Sequence, residues 1–193
     1  SSLCRVLKLC NPDEIYNLAA QSHVRISFDQ PIYTTHSIAT GTLNLLESIR
    51  LMSPNAKMYQ ASSSEMFGNN IDEDGYQRET TPLSPVSPYG CAKVYGHNIC
   101  VNYRNSYGMF ISNGILFNHE SPRRGINFVT NKVAKEAVKI KLGLTNELRL
   151  GNLNASRDWG HAKDYVKAMW LILQHDKADD FVCSTGISHT VKD

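Results

Sequence analysis

Lys57-Met58-Tyr59-Gln60-Ala61-Ser62-Ser63-Ser64-Glu65, then Ser87-Pro88-Tyr89-Gly90-Cys91-Ala92-Lys93, then Met109-Phe110-Ile111-Ser112-Asn113-Gly114-Ile115-Leu116-Phe117, is the succession that decides the fold. The first run is short and apolar enough to be a buried strand over 57–62. In the second, Ser87 is a good N-cap and Pro88 a good first helical residue, so a helix runs to about Tyr107, where Gly108 ends it. The third reads as a strand over 109–117. Strand, long helix and strand make the crossover unit of a parallel sheet. Between the first two runs, residues 68–88 hold three prolines, several acids and Asp74-Gly75 without any period. They read as a long loop beside a strand end, a common place for function.

The same alternation continues outward in both directions. A buried strand is predicted over 14–20, and a helix over 34–51, where Leu43, Leu46 and Ile49 recur at helical spacing. Downstream, 128–142 reads as a helix closed by Gly143, 147–150 as a short strand, 161–174 as a helix and 180–184 as a final strand. Short strands alternating with longer helices give an α/β class with a doubly wound parallel sheet.

With 193 residues and 41% hydrophobic content, the chain can bury one domain-sized core. Its net charge of +2, from 20 basic and 18 acidic side chains spread along the sequence, creates no field that would recruit nucleic acid or a membrane. Five cysteines form an odd set without a Cys-x-x-Cys pair, which points to a reducing cytoplasm. No charged leader precedes an apolar stretch, and no run approaches the roughly 18 apolar residues of a membrane span. The first residue is Ser1 and the last, Asp193, follows the strand-like 181–183 by ten residues, so both ends read as cut.

Chemistry first shows at Tyr89 and Lys93. Four apart on a helix, they share a face with Cβ atoms about 5–6 Å apart. A nearby ammonium stabilises a phenolate and so makes tyrosine a usable base near neutral pH; the lysine can also hold a ribose hydroxyl. The spacing alone is weak, since a solvated surface pair meets it equally well. Its context adds weight: the preceding strand ends in Ser62-Ser63-Ser64-Glu65, placing hydroxyls and a carboxylate at the carboxyl edge where open parallel sheets bind ligands. Capping and turn chemistry is the ordinary alternative for the serines, and a solvated loop carboxylate for Glu65.

The sequence resembles the extended short-chain dehydrogenase/reductases, and within them the GDP-mannose 4,6-dehydratase family. The resemblance rests on Tyr16-Asn17-Leu18-Ala19-Ala20-Gln21-Ser22-His23-Val24, Tyr59 to Glu65, Ser87 to Lys93, Ile115-Leu116-Phe117-Asn118-His119-Glu120-Ser121-Pro122-Arg123-Arg124-Gly125 and Arg157-Asp158-Trp159-Gly160-His161-Ala162-Lys163-Asp164-Tyr165-Val166. The last two runs are far more specific than Tyr-x-x-x-Lys.

The resemblance implies a Rossmann-like fold, incomplete at its N-terminus: part of an NADP-binding domain over 1–117, then a mixed substrate-binding lobe with returning Rossmann elements over 118–193. It implies that Tyr89 takes the proton of the sugar's 4-hydroxyl while hydride leaves carbon 4 for the nicotinamide. Glu65 then removes the acidified proton at carbon 5, water leaves carbon 6, and hydride returns there, so the sugar undergoes no net oxidation. Ser63 polarises the oxygen on carbon 4, and Lys93 completes the catalytic set. Cofactor contacts carry over to Leu18, Ala19, Ala20, Gln21, Ser22, Tyr33, Lys93, His119 and Arg124. Asn118, Lys132 and Arg157 face the nucleotide diphosphate of GDP-mannose. Trp159 and Tyr165 are read as packing residues. A homo-oligomer, dimer or tetramer, is also implied.

Two departures stand out. The family usually has threonine at Ser63, which here keeps the donor hydroxyl but loses a methyl. The loop after Phe67 is longer around Glu73-Asp74-Gly75-Tyr76, in a lid or an interface. No Gly-x-x-Gly-x-x-Gly turn is present, and Gly41 is the only glycine before Gly68. The 193 residues alone are therefore expected to bind cofactor poorly, and the choice between NADP and NAD is not readable. His119-Glu120 lacks the second histidine of a His-Glu-x-x-His zinc site, so no metal is expected. Two other readings stay open: an epimerase or other nucleotide-sugar enzyme of the same fold, which needs Tyr89 and Lys93 but not Glu65, and a non-catalytic cofactor-binding homologue.

Overall fold

In the computed structural model, which describes residues 2–193, the strand-helix-strand succession between Lys57 and Phe117 forms the centre of a parallel sheet. Strand β1 (Glu14–Asn17), β2 (Lys57–Ser63), β3 (Ile111–Leu116) and β6 (Asp180–Cys183) lie in the order β1-β2-β3-β6. Every pair in that sheet is parallel, with Tyr16 beside Tyr59, Ser63 beside Leu116 and Leu116 beside Cys183. Helix α5 (Pro88–Tyr107) is the crossover from β2 to β3. Ser87 caps it by accepting from the Gly90 amide at 3.0 Å, and Gly108 ends it with φ 64°, a left-handed conformation that glycine adopts without a Cβ penalty.

Upstream, helix α1 (Ser2–Cys10) precedes β1, and α2 (Val24–Asp29) and α3 (Pro31–Thr35) follow it. The predicted helix over 34–51 is a longer helical run that begins at Pro31, widens into a π turn at His36–Thr40 and continues as α4 (Gly41–Met52). Leu46 and Ile49, two of its three periodic residues, are fully buried, and Leu43 packs beside them. They pack with Leu7, Met58, Cys100, Tyr103, Met109 and Ile111, so the core joins α1, α4, α5, β2 and β3. Burying each large apolar side chain stabilises the fold by about 1.5–3 kcal/mol.

β1 stops three residues before the predicted end. The Asn17 side chain accepts from the Ala19 amide at 3.3 Å, a local turn that withdraws 18–20 from the ladder. The strand predicted over 147–150 does not form. Leu148 and Leu150 are half-buried between exposed Glu147 and Arg149, so the alternation is real, but no ladder pairs with it. Strand β5 (Ser156–His161) forms instead, parallel to β4 (Asn118–Glu120) and antiparallel to β7 (Ser188–Thr190). Helices α6 (Val129–Lys141) and α7 (Ala162–Gln174) complete the chain.

The chain divides into two compact units. The first comprises Ser1–Leu116 with Ala168–Cys183, and the second Phe117–Lys167 with Ser184–Asp193. Among the described residues, no helix is long and apolar enough to cross a membrane.

Candidate functional site

Within the first unit, the carboxyl end of β2 and the first turns of α5 meet. Ser63 is 8% exposed and accepts from the Glu65 amide at 3.2 Å, opening a 3₁₀ turn at Ser64–Met66. That turn carries Glu65 out of the strand as a half-buried carboxylate. Gly90, the residue after Tyr89, lies so close to this turn that a Cβ there would meet the Glu65 carbonyl oxygen and Pro85 at 2.9 Å. The missing side chain thus lets the start of α5 rest on the segment bearing Glu65.

Tyr89 is buried beside Ile38, Ala39 and Ala92, and Ala20 packs on the same cluster. The expected proximity of Tyr89 and Lys93 is observed: the Lys93 ammonium lies 5.7 Å from the Tyr89 ring centroid. Lys93 also donates to the Ala61 carbonyl at 2.8 Å. It is only 5% exposed, and burial pushes its pKa down to about 8 from the ordinary lysine range. A tyrosine beside a buried ammonium is suited to take a proton from a hydroxyl, and Ser63 offers a donor to the resulting carbonyl.

Around the end of β1, Asn17 donates to Gln60 at 2.7 Å, tying β1 to β2 below the site. Leu18 and Tyr33 are 55% and 58% exposed, and Ala19 and Ser22 are exposed as well. Gln21 differs: its amide donates to the His23 carbonyl and to Thr34, both at 3.1 Å, and accepts from the His23 amide at 2.7 Å. Its polar atoms therefore shape their own loop.

In the second unit, the two most specific runs of the sequence lie side by side. β4 and β5 pair Asn118 with Trp159, His119 with Gly160 and Glu120 with His161. His119 bonds the Phe117 carbonyl at 2.8 Å and stacks on buried Tyr165, with ring centroids 4.6 Å apart. Arg124 meets the Glu120 carboxylate at 3.0 Å and lies over the Phe128 ring at 3.5 Å. Lys132 on α6 and Arg157 on β5 are exposed. A cavity of about 450 Å³ beside these strands is lined by Glu120, Ser121, Thr130, Asn131, Gly160 and His161, among others. Among the described residues, no group of three or more His, Cys, Asp or Glu is arranged to hold a metal ion.

A group the sequence reading missed joins α5 to the sheet. Ser62 and His97 Nδ1 are 3.1 Å apart, and His97 Nε2 lies 3.5 Å from Asp180. His97 continues the series Tyr89, Lys93, His97 at four-residue spacing, which was the available signal.

The family model for GDP-mannose 4,6 dehydratase matches residues 1–193. The chain is 53% identical over 194 residues to the GDP-mannose 4,6-dehydratase of Vibrio cholerae, covering all of this chain and 52% of that protein. It is 55% identical over 197 residues to GDP-mannose 4,6 dehydratase 1 of Arabidopsis thaliana, again over all of this chain and 54% of the relative. The chain thus spans about half the length of these relatives. In structure it is similar to RMD from Pseudomonas aeruginosa complexed with NADPH, with a TM-score of 0.87, 26% identity, and coverage of 94% of this chain and 63% of that one.

Proposed function

The chain belongs to the GDP-mannose 4,6-dehydratase family, and from that membership and the geometry around β2 and α5 we propose that the full-length protein is a lyase converting GDP-mannose to GDP-4-keto-6-deoxymannose. The observation that carries the reading is Lys93: a buried ammonium beside Tyr89, at the end of the strand that bears Ser63 and leads to Glu65. In this reaction Tyr89 takes the proton of the 4-hydroxyl, and Lys93 stabilises the phenolate form that does so. Ser63 donates to the oxygen as it becomes a carbonyl. The ketone acidifies the neighbouring carbon 5; Glu65 takes its proton and passes it to the carbon-6 hydroxyl, which leaves as water.

We assign NADP as the cofactor; when bound, it accepts one hydride from the sugar and returns one. The residues present fit such a group. Ala19 and Ala20 leave the backbone after β1 open to close approach, with exposed Leu18, Ser22 and Tyr33 nearby in sequence. An ammonium has three donors, and one from Lys93 goes to Ala61, leaving two suited to ribose hydroxyls. Gln21 contributes through its backbone, since its amide is engaged in the loop. By resemblance, His119 and Arg124 are assigned to the cofactor, and Asn118, Lys132 and Arg157 to the diphosphate of GDP-mannose. Residues 1–117 are assigned to the cofactor domain, and 118–193 to the substrate lobe with a returning strand. A cytoplasmic homo-oligomer, dimer or tetramer, completes the proposal, with the odd cysteine count supporting the compartment.

Glu65→Gln in the full-length protein tests the assignment. With GDP-mannose and NADP⁺, the variant is expected to oxidise carbon 4, seen as absorbance of reduced cofactor, and to stall before water loss. Dehydrated product at the parental rate would show that Glu65 is not the base.

A further inference from the structure

We infer that buried Ser62 and His97, with half-buried Asp180, form a relay that positions the carboxyl end of β2, and with it Ser63 and Glu65; the inference rests on the roles proposed for those two residues. Helix α5 presents Lys93 and His97 one turn apart, and they engage consecutive residues of β2: Lys93 the Ala61 carbonyl, His97 the Ser62 side chain. Beyond His97, Asp180 reaches across from β6. One of its carboxylate oxygens lies 3.5 Å from His97 Nε2; the other accepts from Arg104 at 3.0 Å and from Asn113 at 2.8 Å. The relay therefore ties together β2, β3, β6 and α5, two of which, β2 and α5, carry the site.

His97 Nε2 faces the Asp180 side chain at 3.5 Å, and an N–H there is the complement of a carboxylate oxygen. We assign the ring proton to Nε2 on that contact, which leaves Nδ1 a lone pair to accept from the Ser62 hydroxyl 3.1 Å away. Burial, aided by the Arg104 charge, holds the imidazole pKa below its ordinary range despite Asp180, which favours the neutral ring. The residue types match those of a nucleophilic triad, but Ser62 and His97 are 5% and 7% exposed, and Ser62 sits within a strand, closed to substrate. What the relay can do is hold. Ser62 is the last residue of β2 before Ser63, whose own hydroxyl organises the turn that carries Glu65.

The test uses the full-length protein and four forms of it: the parent, Ser62→Ala, Ser62→Thr and His97→Leu. In the parent, Asp180 keeps Arg104 and Asn113, and it keeps them in His97→Leu too, so that change strands no charge. Hydrogen exchange over 62–66 is expected to speed up in Ser62→Ala and His97→Leu, with the rest of the sheet unchanged, and to return to the parental rate in Ser62→Thr. Dehydration should follow: kcat falls about tenfold in the first two while KM for the sugar nucleotide stays within about twofold, as for a group displaced rather than removed, and threonine restores it. Unchanged exchange in Ser62→Ala, or faster exchange with parental kcat, would overturn the inference. Faster exchange in a parent series that dehydrates no sugar would support the relay and refute the activity instead, because exchange does not depend on turnover.

Discussion

Lys93 shows most clearly how the proposed site trades stability for chemistry. Its ammonium is buried with one carbonyl acceptor, so removing the charge relieves a desolvation cost that a good ion pair would otherwise offset. Lys93→Met is therefore predicted to raise stability by about 1 kcal/mol or more at pH 7.5 in chemical denaturation, and to abolish dehydration. The pH dependence has a definite sign. Because the folded pKa is pushed down to about 8, the unfolded chain binds more protons between about 8 and the ordinary lysine value, and stability rises with pH across that window. The parental protein should thus gain on Lys93→Met between pH 8 and pH 10.5, and a constant gap would contradict the burial of a charged Lys93. The pairing of Tyr89 with Lys93 was legible from their spacing. The desolvation was not, because the partner carbonyl, Ala61, lies on a strand 32 residues away. Separation in sequence likewise hid Ser62, 35 residues from His97, and Asp180, farther still, from a reading of α5.

At the level of elements, α5 was readable to the residue because its signals are local: Ser87, Pro88 and Gly108 act on their own turns. Two substitutions separate its stability from its placement. Ser87→Ala removes the cap and should cost about 1 kcal/mol in thermal or urea unfolding. Gly90→Ala is a better helix former, yet its Cβ would meet the Glu65 carbonyl and Pro85. It is expected to lower kcat more than any loss in melting temperature accounts for, and full activity would show that α5 and the Glu65 turn are not held in contact. Where the sequence misled, the cause was nonlocal. Residues 147–150 alternate as a strand does, but a strand exists only where another strand's edge accepts its hydrogen bonds. The ladder went instead to Ser156–His161, whose Arg-Asp-Trp-Gly run carries no strand pattern and is placed by β4 and β7.

For the whole molecule, the α/β class and the parallel sheet were legible because strands and helices alternate in period along the chain. The small sheet of the second unit was not, since its three- to six-residue strands are too short to show a period. That sheet is nonetheless where the two most specific runs of the sequence lie together, Asn118 beside Trp159 and Glu120 beside His161. On the proposed function, the full-length protein moves a hydride internally from carbon 4 to carbon 6 of GDP-mannose. GDP-mannose carrying deuterium at carbon 4, incubated with the full-length protein and NADP⁺ and followed by NMR, tests it most directly. A 4-keto-6-deoxy product with the deuterium at carbon 6 is expected; deuterium returned to carbon 4 of an intact or epimerised hexose, with no water lost, would rule the internal transfer out.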